Sequence, residues 1–304
     1  MRRTAAALLF SLIAIAARAD YNQFRAVRVD TALEIALQGA AAETLAKYPK
    51  LQAHDLAITV IDVTRADAPR RADLRGNAPF YPASVIKIFF MVDVYATGKE
   101  LVADVDRALR EMIVVSDNDA TAYLVDVVSG TSAGAQLEGE ALERFIARRR
   151  AINERFSRLG YLQMSAMAKP WSFGPFGRER QVLGADRVNR NRLTTNETAS
   201  LLFWIERRSA VSAEASEAML QLMERPLAPT RSDENQVKEF IGEAVPAGSK
   251  LWSKAGWTSE VRHDAAILAL PEGRRLVLVV FTRGLAADPT LVPSVTRSVL
   301  SRLP

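Results

Sequence analysis

From Val85 to Tyr95 the chain is apolar at nearly every position, VIKIFFMVDVY, which predicts a helix buried on all sides. Elsewhere the pattern is periodic. Val27, Val29, Leu33, Ile35, Leu37 and Leu45 predict a helix over about 24–48, and the β-branched alternation from Leu56 to Val63 predicts a strand. Residues 65–82 are rich in charge, Gly and Pro and predict a loop or a short edge strand. Leu101, Val105, Leu109 and Met112 recur at helical spacing, as do Ala120, Tyr123, Leu124, Val127 and Val128, so two helices flank the polar corner Ser116-Asp117-Asn118-Asp119. Leu142, Phe145, Ile146, Ile152 and Phe156 form a further helical stripe, and Thr194 with Glu197 has the form of a capping box. Two apolar runs, 265–270 and 276–281, enclose Pro271-Glu272-Gly273-Arg274 and predict a hairpin, followed by a last helix opened by Asp288-Pro289. Strands near both ends and helices between them imply an α/β layer interrupted by an all-helical lobe. There is no internal repeat, low-complexity tract or clear linker.

Composition narrows this picture. The first nineteen residues have a basic start (Arg2, Arg3), an apolar stretch from Ala5 to Ala16 and a small-x-small site at Ala17-Arg18-Ala19, which reads as an export signal. The apolar stretch is shorter than the ~20 residues a spanning helix needs. Formal charge is +5, of which this segment supplies three, leaving +2 on the mature chain and no electrostatic footprint for nucleic acid. There is no cysteine, which excludes thiol catalysis and disulfides, and His54 and His263 are too few for a recognisable zinc site.

The chemistry centres on Lys87, alone among apolar neighbours. Burial disfavours the ammonium and lowers a lysine's pKa, and a neutral buried amine is a base. Ser84 lies three residues earlier, on the same helical face. Lysines also lay their methylenes on apolar surface and push the charge into water, so this stretch decides nothing alone. The same holds for Ser116-Asp117-Asn118, which also suits a helix N-cap, and for Lys254-Ala255-Gly256, which suits a strand end. Gly130-Thr131-Ser132-Ala133-Gly134 matches G-x-S-x-G with His263 as a possible base, but that elbow needs a preceding strand and 120–128 is helically periodic.

Taken together, Ser84-x-x-Lys87, Ser116-Asp117-Asn118 and Lys254-x-Gly256, in this order and spacing, resemble the penicillin-recognising serine hydrolases, above all the class A β-lactamases. The flanks MIVVSDNDATAYLV, LTTNETASLLFWI and WSKAGW are similar as well. The resemblance implies a β-lactamase/transpeptidase-like fold of α/β (α+β) type, an antiparallel sheet flanked by helices plus an all-helical lobe. It would occupy residues 20–304 as one catalytic domain, with the α/β part at about 20–83 and 210–304 and the lobe at about 84–209. It further implies Ser84 as nucleophile, Lys87 as base or as orienter of a basic water, and Ser116 as proton relay to the leaving nitrogen. Asn118 would hold the substrate's amide side chain and Lys254 its anionic end, with the backbone N–H groups of Ser84 and Trp257 as oxyanion donors beside Gly256.

Two departures qualify the resemblance. Ala255 lacks the hydroxyl usual in the middle of the third motif, for which Thr258, Ser259 or Arg262 would have to compensate. The E-x-x-L-N signature of the deacylating glutamate is absent. Glu179 lies at a fitting distance before Thr194, either as that carboxylate or as an ion-pair partner of Arg178 or Arg180. The implied functions are an exported, periplasmic or secreted β-lactam hydrolase, a D-Ala-D-Ala-type peptidase or esterase, or a penicillin-binding module with little turnover. The expected partner is a small β-lactam or a peptidoglycan-derived substrate, without cofactor, metal, nucleic acid or stable membrane span, on a monomer.

Overall fold

The structure, a computed structural model, describes residues 20–98, 102–171, 173–228 and 236–304. The expected signal segment 1–19 lies outside the described residues. Where one helix was expected over 24–48, there are two: α1 (Tyr21–Arg25) and α2 (Thr31–Lys47), separated by the two-residue strand β1 (Arg28–Val29). The break has a local cause. Asp30 is extended and its carboxylate accepts the N–H groups of Ala32 and Leu33, both at 3.1 Å, so it caps a new helix instead of continuing the old one.

The expected strand is β2 (Leu56–Asp62), and the charged stretch after it contributes the edge strand β3 (Arg70–Leu74). The chain then leaves the sheet. A 3₁₀ turn at Ala83–Ile86 runs directly into α3 (Lys87–Ala96), whose residues 87–94 are all buried. Next come α4 (Ala103–Arg110), a π turn at Glu111–Val115, α5 (Asn118–Ser129), α6 (Gly139–Ser157), the short α7 (Gly177–Val182) and α8 (Thr195–Glu206). Thr194 caps α8 by accepting the Glu197 N–H at 3.1 Å, but the reciprocal half of a capping box is absent, because the Glu197 carboxylate accepts from Gln163 N at 2.8 Å and from the Thr194 hydroxyl instead of the Thr194 N–H. After α9 (Ala213–Met223) the chain returns to the sheet as β4 (Glu224–Arg225), β5 (Lys250–Trp257), β6 (Val261–Ala269) and β7 (Arg275–Arg283), and ends in α10 (Leu291–Leu300).

Among the described residues the sheet has seven strands in the order β1-β3-β2-β7-β6-β5-β4. All pairs are antiparallel except β1 with β3, so the expected antiparallel sheet carries one parallel edge. Alternation along the central strands builds a core on each face. Ala265, Ile267, Val277 and Val279 face a core shared with α3 and α8, whereas Ala266, Leu268, Leu278 and Val280 face α2 and α10. The 3₁₀ turn before α3 is thereby wedged against β5 and β6, at the rim where sheet and helices meet. Among the described residues no helix is long and apolar enough to cross a membrane.

Replacing Asp30 by Ala removes the cap of α2 and one partner of Arg70, which lies 3.2 Å away. The expected loss is about 1–2 kcal/mol, read as a lower midpoint in chemical denaturation.

Candidate active site

Lys87 is fully buried at the first turn of α3. Its amine does not bond to Ser84; it reaches the polar corner, with Ser116 O at 2.6 Å, Asn118 Oδ1 at 2.8 Å and Ser116 Oγ at 3.2 Å. Burial pulls its pKa down from 10.5 to about 7, against a smaller opposing attraction from Asp117. The corner is shaped by backbone conformation. The π turn ends at Ser116, whose φ of 65° lies in the left-handed region, and Asp117 then caps α5 by accepting the Ala120 N–H at 2.6 Å. Asp117 is therefore a cap, and Ser116 is turned inward. Ala83, just before Ser84, is also left-handed at φ 46°, so two strained non-glycine residues flank the site.

Lys254 enters from β5 and is also fully buried. Its ammonium meets Ser116 Oγ at 2.9 Å, Gln236 Oε1 at 2.6 Å and Ala255 O at 2.8 Å. Burial, then the nearby charges of Lys87 and Arg225, hold it well below the ordinary lysine value. One hydroxyl thus lies between two amines whose protons are easily lost.

Gly256 sets how closely β5 packs against the turn that carries Ser84. A Cβ there would sit 2.7 Å from Ser84 N and 2.8 Å from Val85 N, so β5 approaches the 3₁₀ turn backbone to backbone. The half-buried Ser84 makes no side-chain hydrogen bond among the described residues. Thr258 N bonds Val261 O at 2.9 Å, and antiparallel pairs alternate, so the N–H groups of Ala255 and Trp257 point away from β6. The first of these meets Gln236 Oε1 at 3.1 Å; the second faces the uncovered strand edge. An oxyanion could lie between the Trp257 N–H and that of Ser84 in the turn before α3. The Trp257 ring is 47% exposed and packs beside Phe240, with centroids 5.3 Å apart.

Other expected residues lie elsewhere. Glu179, on α7, is buried, with one oxygen bonded by Arg149 and the other 3.2 Å from Lys169, which also holds Asp126 at 2.6 Å. Its partners are neither Arg178 nor Arg180, and among the described residues no hydrogen bond or ion pair joins it to Ser84, Lys87, Ser116 or Lys254. Thr258 Oγ1 accepts from Glu260 N and Val261 N, which makes it a turn residue, while Arg262 is spent on Ala286 O and Glu239.

His263 is fully buried, with its imidazole between Tyr81 O and Thr282 N, and burial lowers its pKa to about 4. It ties the loop segment at Tyr81, just before Ser84, to β7 at Thr282. Ser132 follows a helix, not a strand, so the elbow geometry is absent. The residues that sequence reasoning missed are Gln236 and Arg225. Both donate to Ile113 O and Val114 O, which the π turn leaves without helical partners. No spacing signal marks them, since their partners are backbone atoms 111 to 123 residues away.

The model of the Beta-lactamase enzyme family matches residues 98–302, more than half of the chain. The chain belongs to the beta-lactamase enzyme family. The matched span starts after Ser84 and Lys87, so the first motif rests on sequence and geometry. No curated protein sequence matches the chain. Solved structures share the family fold at low identity. A beta-lactamase from Sphaerobacter thermophilus superposes with TM-score 0.62 at 22% identity, covering 87% of this chain and 96% of that one. One from Chitinophaga pinensis gives 0.61 at 17%, covering 88% and 97%. A point mutant of PBP-A, solved as an acyl-enzyme complex with penicillin G, gives 0.61 at 18%, covering 90% and 97%.

Gly256→Ala in this family member forces its methyl group against backbone nitrogens that cannot yield. The expected cost is about 1–3 kcal/mol in denaturant unfolding, whereas an unchanged midpoint would refute the close approach.

Proposed function

We propose that the chain is an exported serine acyl hydrolase that opens β-lactams through an acyl-enzyme on Ser84. The observation that carries this reading is the Ser116 hydroxyl, held 3.2 Å from Lys87 and 2.9 Å from Lys254, with Lys87 following Ser84 by three residues out of the 3₁₀ turn into α3. With its pKa near 7, Lys87 is partly neutral at physiological pH and takes the Ser84 proton, directly or through a water. Ser84 Oγ attacks the carbonyl carbon, and the oxyanion collects on the N–H groups of Ser84 and Trp257. Ser116 passes its proton to the leaving nitrogen as that bond breaks, and the adjacent amines replace it. Asn118 Oδ1 is occupied by Lys87, so its amide nitrogen is the end left to receive a substrate carbonyl. Export rests on the segment before residue 20, and the absence of a spanning helix among the described residues is consistent with it.

One observation favours a second reading. Glu179 is bound by two cations and bonds to none of the residues around Ser84, so rapid deacylation has no free base at that position. Slow clearance suits a D-Ala-D-Ala-type peptidase or esterase, or a penicillin-binding module with little turnover.

Mass spectrometry after brief and long exposure to benzylpenicillin separates these readings. The intact chain is expected to gain one penicillin mass on the Ser84 peptide, and Ser84→Ala is expected to gain none. Absence of any adduct on Ser84 would refute acyl transfer. An adduct that persists on long exposure favours slow turnover; one that clears in wild type but persists in Glu179→Gln assigns deacylation to Glu179. Because Lys87 must be neutral to accept a proton, the acylation rate is expected to rise with pH through about 7.

A further inference from the structure

Gln236 joins the two halves of the site with one side chain. It is 2% exposed, and both ends of its amide are fully used. The oxygen accepts from Lys254 Nζ at 2.6 Å and from Ala255 N at 3.1 Å. The nitrogen donates to Ile113 O at 3.1 Å and Val114 O at 2.8 Å, the carbonyls just before Ser116. One end therefore grips the strand that carries Lys254, and the other grips the turn that carries Ser116. Those two residues are the ones that meet at 2.9 Å.

We infer that Gln236 is a positioning residue for acyl transfer, fixing the Lys254 ammonium on the Ser116 hydroxyl by clamping β5 to the π turn. The inference rests on the acyl-transfer reading for its catalytic consequence, but the clamp itself stands on geometry. An amide suits the place because it offers an acceptor to the amine and donors to the carbonyls while adding no charge. Leucine would offer neither, and a glutamate would present oxygen to two carbonyls. Around Lys254 the charged groups are Lys87 from α3, Arg225 from β4 and, across the strand, Asp264 from β6, with Asp117 near Lys87. None of these carboxylates makes a hydrogen bond to Lys254. A glutamate at 236 would place an anion in direct contact with that ammonium.

The test uses Gln236→Leu and Gln236→Glu in the full chain, with two readouts. Lysine side-chain NMR follows the titration of Lys254, and intact-mass spectrometry follows acylation of Ser84 by benzylpenicillin as a function of pH. Gln236→Glu is expected to raise the Lys254 titration midpoint by about one unit or more, and to move the rising limb of acylation to higher pH as both amines retain their protons longer. Gln236→Leu is expected to slow acylation by about ten- to a hundredfold by misplacing the amine. An unchanged Lys254 titration in Gln236→Glu, or wild-type acylation in Gln236→Leu, overturns the inference. Should Gln236→Leu fail to fold, Gln236→Glu decides alone, because a merely structural loss lowers the rate equally at every pH. If Lys254 shifts while wild type is never acylated, the clamp is upheld and it is the acyl-transfer reading that fails.

Discussion

Two buried amines converging on one hydroxyl set the terms for the rest of this molecule. Lys87 and Lys254 are each fully enclosed, neither makes an ion pair among the described residues, and each lies within hydrogen-bond distance of Ser116 Oγ. In water two ammonium groups would repel weakly and drift apart. Here burial disfavours charge on both, so each amine gives up its proton more readily than an exposed lysine does. A folded protein keeps such an arrangement only if the surroundings fix it rigidly, because each uncompensated charge works against folding.

The scaffold provides that rigidity by bringing together segments far apart in the chain. Lys87 is fixed by an apolar helix, and Lys254 by β5, whose glycine allows the serine turn to pack backbone to backbone. The π turn at Glu111–Val115 aims Ser116 inward and exposes two carbonyls, which Arg225 and Gln236 satisfy from the returning chain. Left-handed backbone at Ala83 and Ser116 places local strain on both sides of the site. The loop carrying Glu179 is tied down separately, through Arg149, Lys169 and Asp126. That ion-pair cluster shares no hydrogen bond or ion pair with Ser84, Lys87, Ser116 or Lys254 among the described residues.

Much of this was legible in the sequence, for identifiable reasons. The helix with Lys87 could be read because burial on every side leaves a continuous apolar run, and the hairpin of β6 and β7 because β-branched runs enclose a Gly-containing turn. The three motifs could be read because their spacing is short and local. The break at Asp30 was hidden because apolar residues at 27 and 29 keep helical spacing across a cap. Gln236 was hidden because its partners are a distant amine and backbone carbonyls, which leave no pattern. Glu179 showed its position before Thr194 but not its cations, because Arg149 and Lys169 reach it from other segments and Arg149 is itself buried at 1% exposure.

The dependence of stability on pH tests directly whether Lys87 is buried as an easily lost charge. A folded-state pKa near 7 against 10.5 in the unfolded chain means that the unfolded state binds the extra proton between those values, so this lysine lends stability as pH rises through that window. Denaturation free energies of wild type and Lys87→Met, measured across the window, should diverge in favour of wild type by about 1.4 kcal/mol per pH unit. Parallel curves would mean that the amine titrates as it does in water, and would contradict the account of the site.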